Sequence, residues 1–212
     1  MVTGATKVRT KKPEVRRDQL LDAAERLFGE KGYAETTVSD IADAAGVAKG
    51  TFYLYFPSKE HCVVALKERL AQGIVDRFLL VLNDAFDQFR DDPTSVDVEG
   101  IVRRLIDESF SHALEHADAF TNLFHRGETI EIDQAALAAE RTIINYLTEV
   151  ITQMNELGLA HVTSPSQTAR ILFTGVHWSL DQALCREHTR DLGELKEAAV
   201  EVATRALGGR SL

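Results

Sequence analysis

Apolar residues along this chain recur every three or four positions, and no stretch alternates apolar with polar between turn signals. No other feature limits the fold as strongly, because a helix buries a stripe with a 3.6-residue repeat and a half-buried strand needs a repeat of two. Leu20, Leu21, Ala24, Leu27 and Phe28 give that stripe between Arg17 and Lys31, and Gly32 stops it. Leu66, Leu70, Ile74, Phe78, Val81, Phe86 and Phe89 predict a long helix that opens after Ser58 and extends to about Arg90. The run 91–95 reads as a loop. Ile101, Leu105, Ile106 and Phe110 mark a helix ending near His116, and Phe120, Leu123 and Phe124 a short one. Ile143, Ile144, Leu147, Val150, Ile151 and Met154 lie on one side of a helix from about Glu131 to Glu156. Two more helices follow, about Pro165–Glu187 and Asp191–Leu207. The chain is therefore expected to be all-α.

With 212 residues, 44% of them hydrophobic, there is enough apolar surface to bury a core, in one or two domains. No run of about eighteen apolar residues occurs and the N-terminal segment is polar, which predicts a cytoplasmic protein without a membrane span. Cys62 and Cys185 stand far apart with no CxxC spacing, so reduced thiols are expected. The formal charge of −9 is unevenly spread. Residues 1–60 hold ten Lys and Arg against nine Asp and Glu, and six of those basic residues fall within 1–17 beside Glu14 alone. A basic arm, a neutral head and an acidic body follow. That asymmetry permits nucleic-acid binding by one end.

Three short helices are expected before Pro57. Thr36-Thr37 precedes the second, with Asp40 three residues after Thr37 in a capping-box arrangement. Gly46 then breaks the chain and a third helix begins near Ala48. A helix-turn-helix needs a small residue where its helices approach, a turn residue tolerant of positive φ, and apolar anchors. Ala42, Gly46, and the set Ile41, Ala45, Val47 and Phe52 meet those needs.

The run GVAKGTFYLYFPSKE from Gly46 to Glu60, with Ala23-Ala24, Leu27-Phe28, Gly32-Tyr33, Thr36-Thr37 and Ile41-Ala42, resembles the DNA-binding head of the TetR (tetracycline-repressor-type) family of bacterial regulators. The resemblance covers roughly Arg17 to Leu66. Leu54 departs from it, since relatives often carry a polar or aromatic residue there. The resemblance implies a division into a flexible basic arm (1–16), a helix-turn-helix DNA-binding domain (17–62) and a helical effector-binding and dimerisation domain (63–212). Gly50 would let the backbone approach the groove, and Ala48 and Thr51 are small enough to touch base edges, so these three with Lys49 are the candidates for direct readout. By the same resemblance Tyr53, Tyr55, Lys59 and Thr37 are expected to grip phosphates.

Family members bind a DNA operator as two-fold dimers and release it when a small molecule enters the body. The resemblance thus implies a ligand-responsive repressor on a palindromic site. The last two helices would pair with their copies through a face with Ile171, Val176, Leu180, Leu184, Leu195 and Val202. Candidate effector contacts are Phe78, Phe86, Phe110, Phe120, Phe124, Tyr146 and Trp178, with His125, His177 and Asp181 as polar anchors. His112 and His116 have a zinc-chelating spacing, with Glu108 one turn earlier, but no further ligand cluster accompanies them, so no metal and no cofactor are expected. A phosphate-binding glycine loop, a nucleophile elbow and an HExxH string are all missing, which predicts that the chain is not an enzyme.

Overall fold

The computed structural model describes residues 13–92, 96–119, 130–186, 189 and 191–208, with the side chains of 130–136, 139, 185 and 186 left aside. Within those residues every regular element is helical: α1 Pro13–Glu35, α2 Val38–Ala44, α3 Lys49–Tyr55, α4 Lys59–Asp91, α5 Val98–Glu115, α6 Ile130–Glu156, α7 Pro165–Asp181 and α8 Gly193–Ala206. None is long and apolar enough to cross a membrane. The expected short helix at Phe120–Phe124 lies outside the described residues.

Local chemistry sets most of the ends. Pro13 opens α1, where its missing N–H is no loss, and Gly32 bends α1 near its end with φ +83°. Only glycine takes that conformation without strain, so the chain resumes for one more turn to Glu35 instead of stopping at Lys31. The Ser58 hydroxyl accepts the His61 N–H at the head of α4, and the Asp97 carboxylate accepts the Gly100 N–H at the head of α5. α7 ends at Asp181, short of the expected Glu187, and passes into a π-helical turn at Gln182–Arg186.

Two main cores result. The head core is sealed: Leu20, Leu21, Phe28, Ile41, Phe52, Cys62, Val63 and Leu66 are wholly inaccessible to water. The body core joins Val81, Leu82 and Ala85 of α4 to α5, α6, α7 and α8. A smaller cluster of Ala71, Ile74, Val75 and Phe78 with Ile143 lies between them. α4 therefore runs through both halves, a rod of about 50 Å at 1.5 Å per residue. Its Arg69 also holds α1 from outside, 2.7 Å from both Asp22 and Glu25.

Candidate nucleic-acid interface and ligand cavity

The turn between α2 and α3 is built from short-range bonds. Thr37 caps α2, its hydroxyl accepting the Asp40 N–H at 3.1 Å while the Asp40 carboxylate accepts the Thr37 N–H at 2.8 Å. Lys31 reaches that carboxylate at 2.8 Å, and this bond together with those from Thr37 holds the Asp40 pKa down at about 2. Gly46 turns the chain with φ +67°, which lets the Val47 N–H donate to the Ala42 carbonyl at 2.9 Å. Ala42 is fully buried beneath the turn, where a larger side chain would hold the helices apart. Phe52 and Phe56 anchor α3 inward, their rings 5.5 Å apart, and the Arg17 guanidinium lies over Phe56.

With those anchors inside, the opposite face of α3 is open to solvent. Ala48, Lys49, Gly50 and Tyr53 are exposed there, Thr51 and Tyr55 are half-buried, and Leu54 is 82% exposed. A Cβ added at Gly50 would meet nothing within 4 Å, and its φ is not left-handed. Neither crowding nor backbone conformation inside the chain explains glycine here, although it weakens a helix by up to about 1 kcal/mol against alanine.

Lys59 and Thr37 sit in a different setting. The Lys59 ammonium donates to the carbonyls of Tyr33 at 2.8 Å and Thr36 at 2.9 Å, and lies 3.9 Å from the centre of the Tyr33 ring. Two of its three donors therefore cap the end of α1. The Tyr33 hydroxyl donates to Glu60 at 2.7 Å, and bonds from Ser58 and Tyr33 hold the Glu60 pKa at about 2. The Thr37 hydroxyl donates to Asp40 at 2.8 Å, so the α2 cap already occupies it. This clasp of Tyr33, Lys59 and Glu60 escaped the sequence reading, because its partners stand 26 and 27 residues apart.

In the body, two cavities meet. The first, about 190 Å³, carries Lys67, Ser109, His112, Glu140, His177 and Asp181 among apolar walls. The second, about 100 Å³, is lined by aliphatic side chains including Ile101, Ile106, Leu147, Met154, Leu172 and Leu207. Phe78, Ser109, Phe173 and Val176 line both. His177 stacks on Phe173 with centroids 5.4 Å apart, and burial lowers its pKa against the opposing pull of Asp181.

Of the expected effector contacts, Phe78, His177 and Asp181 line these cavities. Phe86, Phe110 and Tyr146 stand outside both walls and pack in or against the body core, and Trp178 is 58% exposed. Phe120, Phe124 and His125 lie outside the described residues. The reading missed Lys67, whose signal was present: a lysine within the apolar stripe of α4, three residues before Leu70, and now only 3% exposed.

The expected dimer face divides. Leu180 and Leu184 turn into the body core and Val176 and Leu195 pack against it, whereas Ile171 is 69% and Val202 60% exposed. On α7 the exposed positions Ile171, Thr174, Gly175 and Trp178 share one face. Gly175, like Gly50, has open space where a Cβ would stand.

Comparison with known proteins agrees with these features. The model of bacterial regulatory proteins of the tetR family matches residues 20–66. Over 143 residues the chain is 34% identical to the HTH-type transcriptional repressor KstR2 of Rhodococcus jostii (strain RHA1), covering 67% of this chain and 61% of that protein. The chain thus spans about three fifths of that curated relative's length. The fatty acid degradation regulator FadR from Bacillus halodurans superposes with a TM-score of 0.70 at 25% identity, over 95% of this chain and all of that one. FadR from Bacillus subtilis in complex with stearoyl-CoA shares the fold, with a TM-score of 0.66 at 24% identity over 89% and 98% of the two chains. The helix-turn-helix turned by Gly46 therefore lies in the part of the chain, residues 20–66, that matches the tetR family of bacterial regulatory proteins, and the chain as a whole is similar to transcriptional regulators.

Proposed function

We propose that this protein is a transcriptional repressor that binds a palindromic operator as a homodimer and leaves it when an amphiphilic small molecule fills the body. Gly50 is the observation that carries the DNA half of the reading. It is exposed, is not required by its own backbone, and a Cβ in its place would meet nothing of its own chain, so its use lies in letting another molecule approach α3. Ala48, Lys49 and Thr51 beside it then read base edges, and Tyr53 and Tyr55 hold phosphates. Lys59 and Thr37 contribute chiefly by fixing α1 and α2 in place, given the bonds they already make.

Gel shifts on the DNA flanking the encoding gene test this. Binding should be salt-sensitive and strongly weakened by Tyr53→Ala and by Gly50→Glu, while far-UV circular dichroism stays unchanged. Undiminished binding by both variants would remove α3 from the interface.

Dimerisation is supported by the exposed stripe of α7 with Val202 of α8. Trp178 is the single tryptophan of the chain and stands on that stripe, so it reports directly. Its emission should shift to shorter wavelength as dimers form with rising concentration, and Trp178→Glu should give a monomer by light scattering. A monomeric wild type at micromolar concentration would rule the dimer out.

For the effector, the cavity pair fits a molecule with an apolar chain in the aliphatic chamber and a polar group beside Lys67, His177 and Asp181. The stearoyl-CoA held by the FadR neighbour has that construction, and a long-chain acyl-CoA is the proposed class. Such a ligand acts by favouring a dimer whose recognition helices no longer match successive major grooves. Adding it should raise the thermal midpoint of the free protein and release DNA in the gel. Neither response to a series of chain lengths would exclude the class.

A further inference from the structure

One group of donor atoms lies apart from the DNA-facing surface, at the end of α5. His112, Glu115 and His116 each present a ligand atom, and these atoms lie within 4.8 Å of one another. Sequence spacing suggested Glu108 as the companion of the two histidines. The fold commits Glu108 to Arg77 at 3.2 Å and brings up Glu115 in its place.

The two imidazoles are arranged by partners on other helices. His112 is 6% exposed, and its Nε2 lies 2.9 Å from the Leu70 carbonyl of α4. A carbonyl can only accept, so Nε2 carries the hydrogen and the neutral ring keeps its lone pair on Nδ1. That Nδ1 is buried and has no hydrogen-bond partner, an uncommon condition in a native protein that asks for something to complete the site. A Cβ at residue 73 would come within 3.0 Å of His112 Cε1, so Gly73 is what allows the ring to seat against α4. The second ring, edge-on with a centroid 4.6 Å away, belongs to His116, whose Nδ1 bonds the Glu25 carboxylate of α1. A carboxylate acceptor there leaves Nε2 as the free donor atom of His116. Glu115 gives Oε2 to Arg77 and retains Oε1. A carbonyl, a carboxylate and a guanidinium therefore each orient one of the three groups, the supporting pattern found around protein zinc ligands.

We propose that His112, Glu115 and His116 bind a divalent cation of the zinc class, with water as the fourth ligand. Two imidazoles and one carboxylate suit zinc better than magnesium or calcium, which take oxygen ligands. Metal bonds of about 2.0–2.2 Å put tetrahedral ligand atoms roughly 3.4 Å apart, so the trio closes around an ion by small side-chain movements. Glu25 lies on α1 and is also held by Arg69 of α4 at 2.7 Å. An occupied site would consequently tie the head helix α1 to the end of α5.

Calorimetric titration of the full chain with zinc chloride, after dialysis against a chelator, tests the proposal. Wild type should take up one zinc per chain, show the visible absorption of four-coordinate cobalt when titrated with Co²⁺, and gain thermal stability with either metal. Glu25→Gln, which removes the carboxylate supporting His116 and its ion pair with Arg69 but no proposed ligand, should weaken binding about 10- to 100-fold, and His116→Gln or Glu115→Gln should abolish it. Glu115 is exposed, so its variant keeps the test sound if the histidine variant misfolds. No uptake by wild type, or equal uptake by wild type and Glu115→Gln, overturns the site. The result is independent of DNA binding, because zinc uptake is measured without DNA.

Discussion

Head and body differ in how completely they are filled. Ten apolar side chains of the head, from Leu20 to Leu66, have no solvent exposure at all. Most of the body core retains a few per cent, and cavities of about 190 and 100 Å³ open beside it. Empty volume lined by apolar groups lowers stability, since the lining atoms lack partners. A rigid head presenting α3 in one geometry and a loosely filled body able to accept a guest is the division of labour the proposed function needs. α4 is common to both, because its first turns belong to the head core and its last to the body core.

The comparison breaks most visibly at Phe52, fully buried in the head. Phe52→Ala should destabilise the head by about 3–5 kcal/mol and end DNA binding, because a sealed core cannot collapse around the void. If the halves are as separate as their packing suggests, acyl-CoA binding by the body survives. Urea melts followed by Trp178 fluorescence and by DNA binding decide this, and a single coincident loss would show one cooperative unit.

Val176 tests the opposite side, since it lines both cavities. Val176→Phe should fill void instead of creating it and raise stability by about 0.5–2 kcal/mol. The same variant should bind DNA normally and fail to respond to acyl-CoA. A fall in the thermal midpoint would mean that this part of the body is already close-packed.

The difference in packing also explains what could be read in the sequence. The head's determinants are local: the Thr37 cap and Asp40 are three residues apart, Gly46 makes its own turn, and Phe52 and Phe56 fall on one helical face. Spacing therefore gave the helix-turn-helix and its exposed face. Charges in the head were harder, because Lys59 looks like a free surface cation until α1 folds back to offer it the Tyr33 and Thr36 carbonyls. Body cavities depend on where α4, α5, α6 and α7 cross, and no spacing within one helix records that. Aromatic residues were consequently a poor guide, and Phe110 went to the core while Phe173 and Lys67 went to the cavity wall. The Glu115 carboxylate was passed over beside His116 because sequence spacing favoured Glu108, one turn before His112.

A smaller effect concerns the cap that makes the head legible. Thr37→Ala removes the hydroxyl that receives the Asp40 N–H, and should cost about 1 kcal/mol of head stability. Thr37→Ser keeps the oxygen and should restore most of it. Guanidinium melts of both variants check the pair, and equal losses would show that the methyl group matters more than the cap.

Acid should separate the two regions in the order opposite to Phe52→Ala. In the body, burial holds the His177 pKa below its ordinary 6.5, so the unfolded chain binds that proton more readily. Its effect on stability therefore appears as the pH falls below 6.5. In the head, Asp40 and Glu60 are held at about 2 against ordinary values of 3.8 and 4.5. A depressed carboxylate stabilises the fold above its unfolded pKa and loses that share as pH drops from about 4.5 towards 2. Between those windows α7 should loosen while α1 to α3 stay protected. Hydrogen exchange by mass spectrometry at stepped pH reads both regions in one sample, with His177→Gln expected to delay the body's change and Asp40→Asn to blunt the head's. Exchange that rises first in α2 and α3 would reverse the ordering, and would place the weaker charge chemistry in the head despite its tighter core.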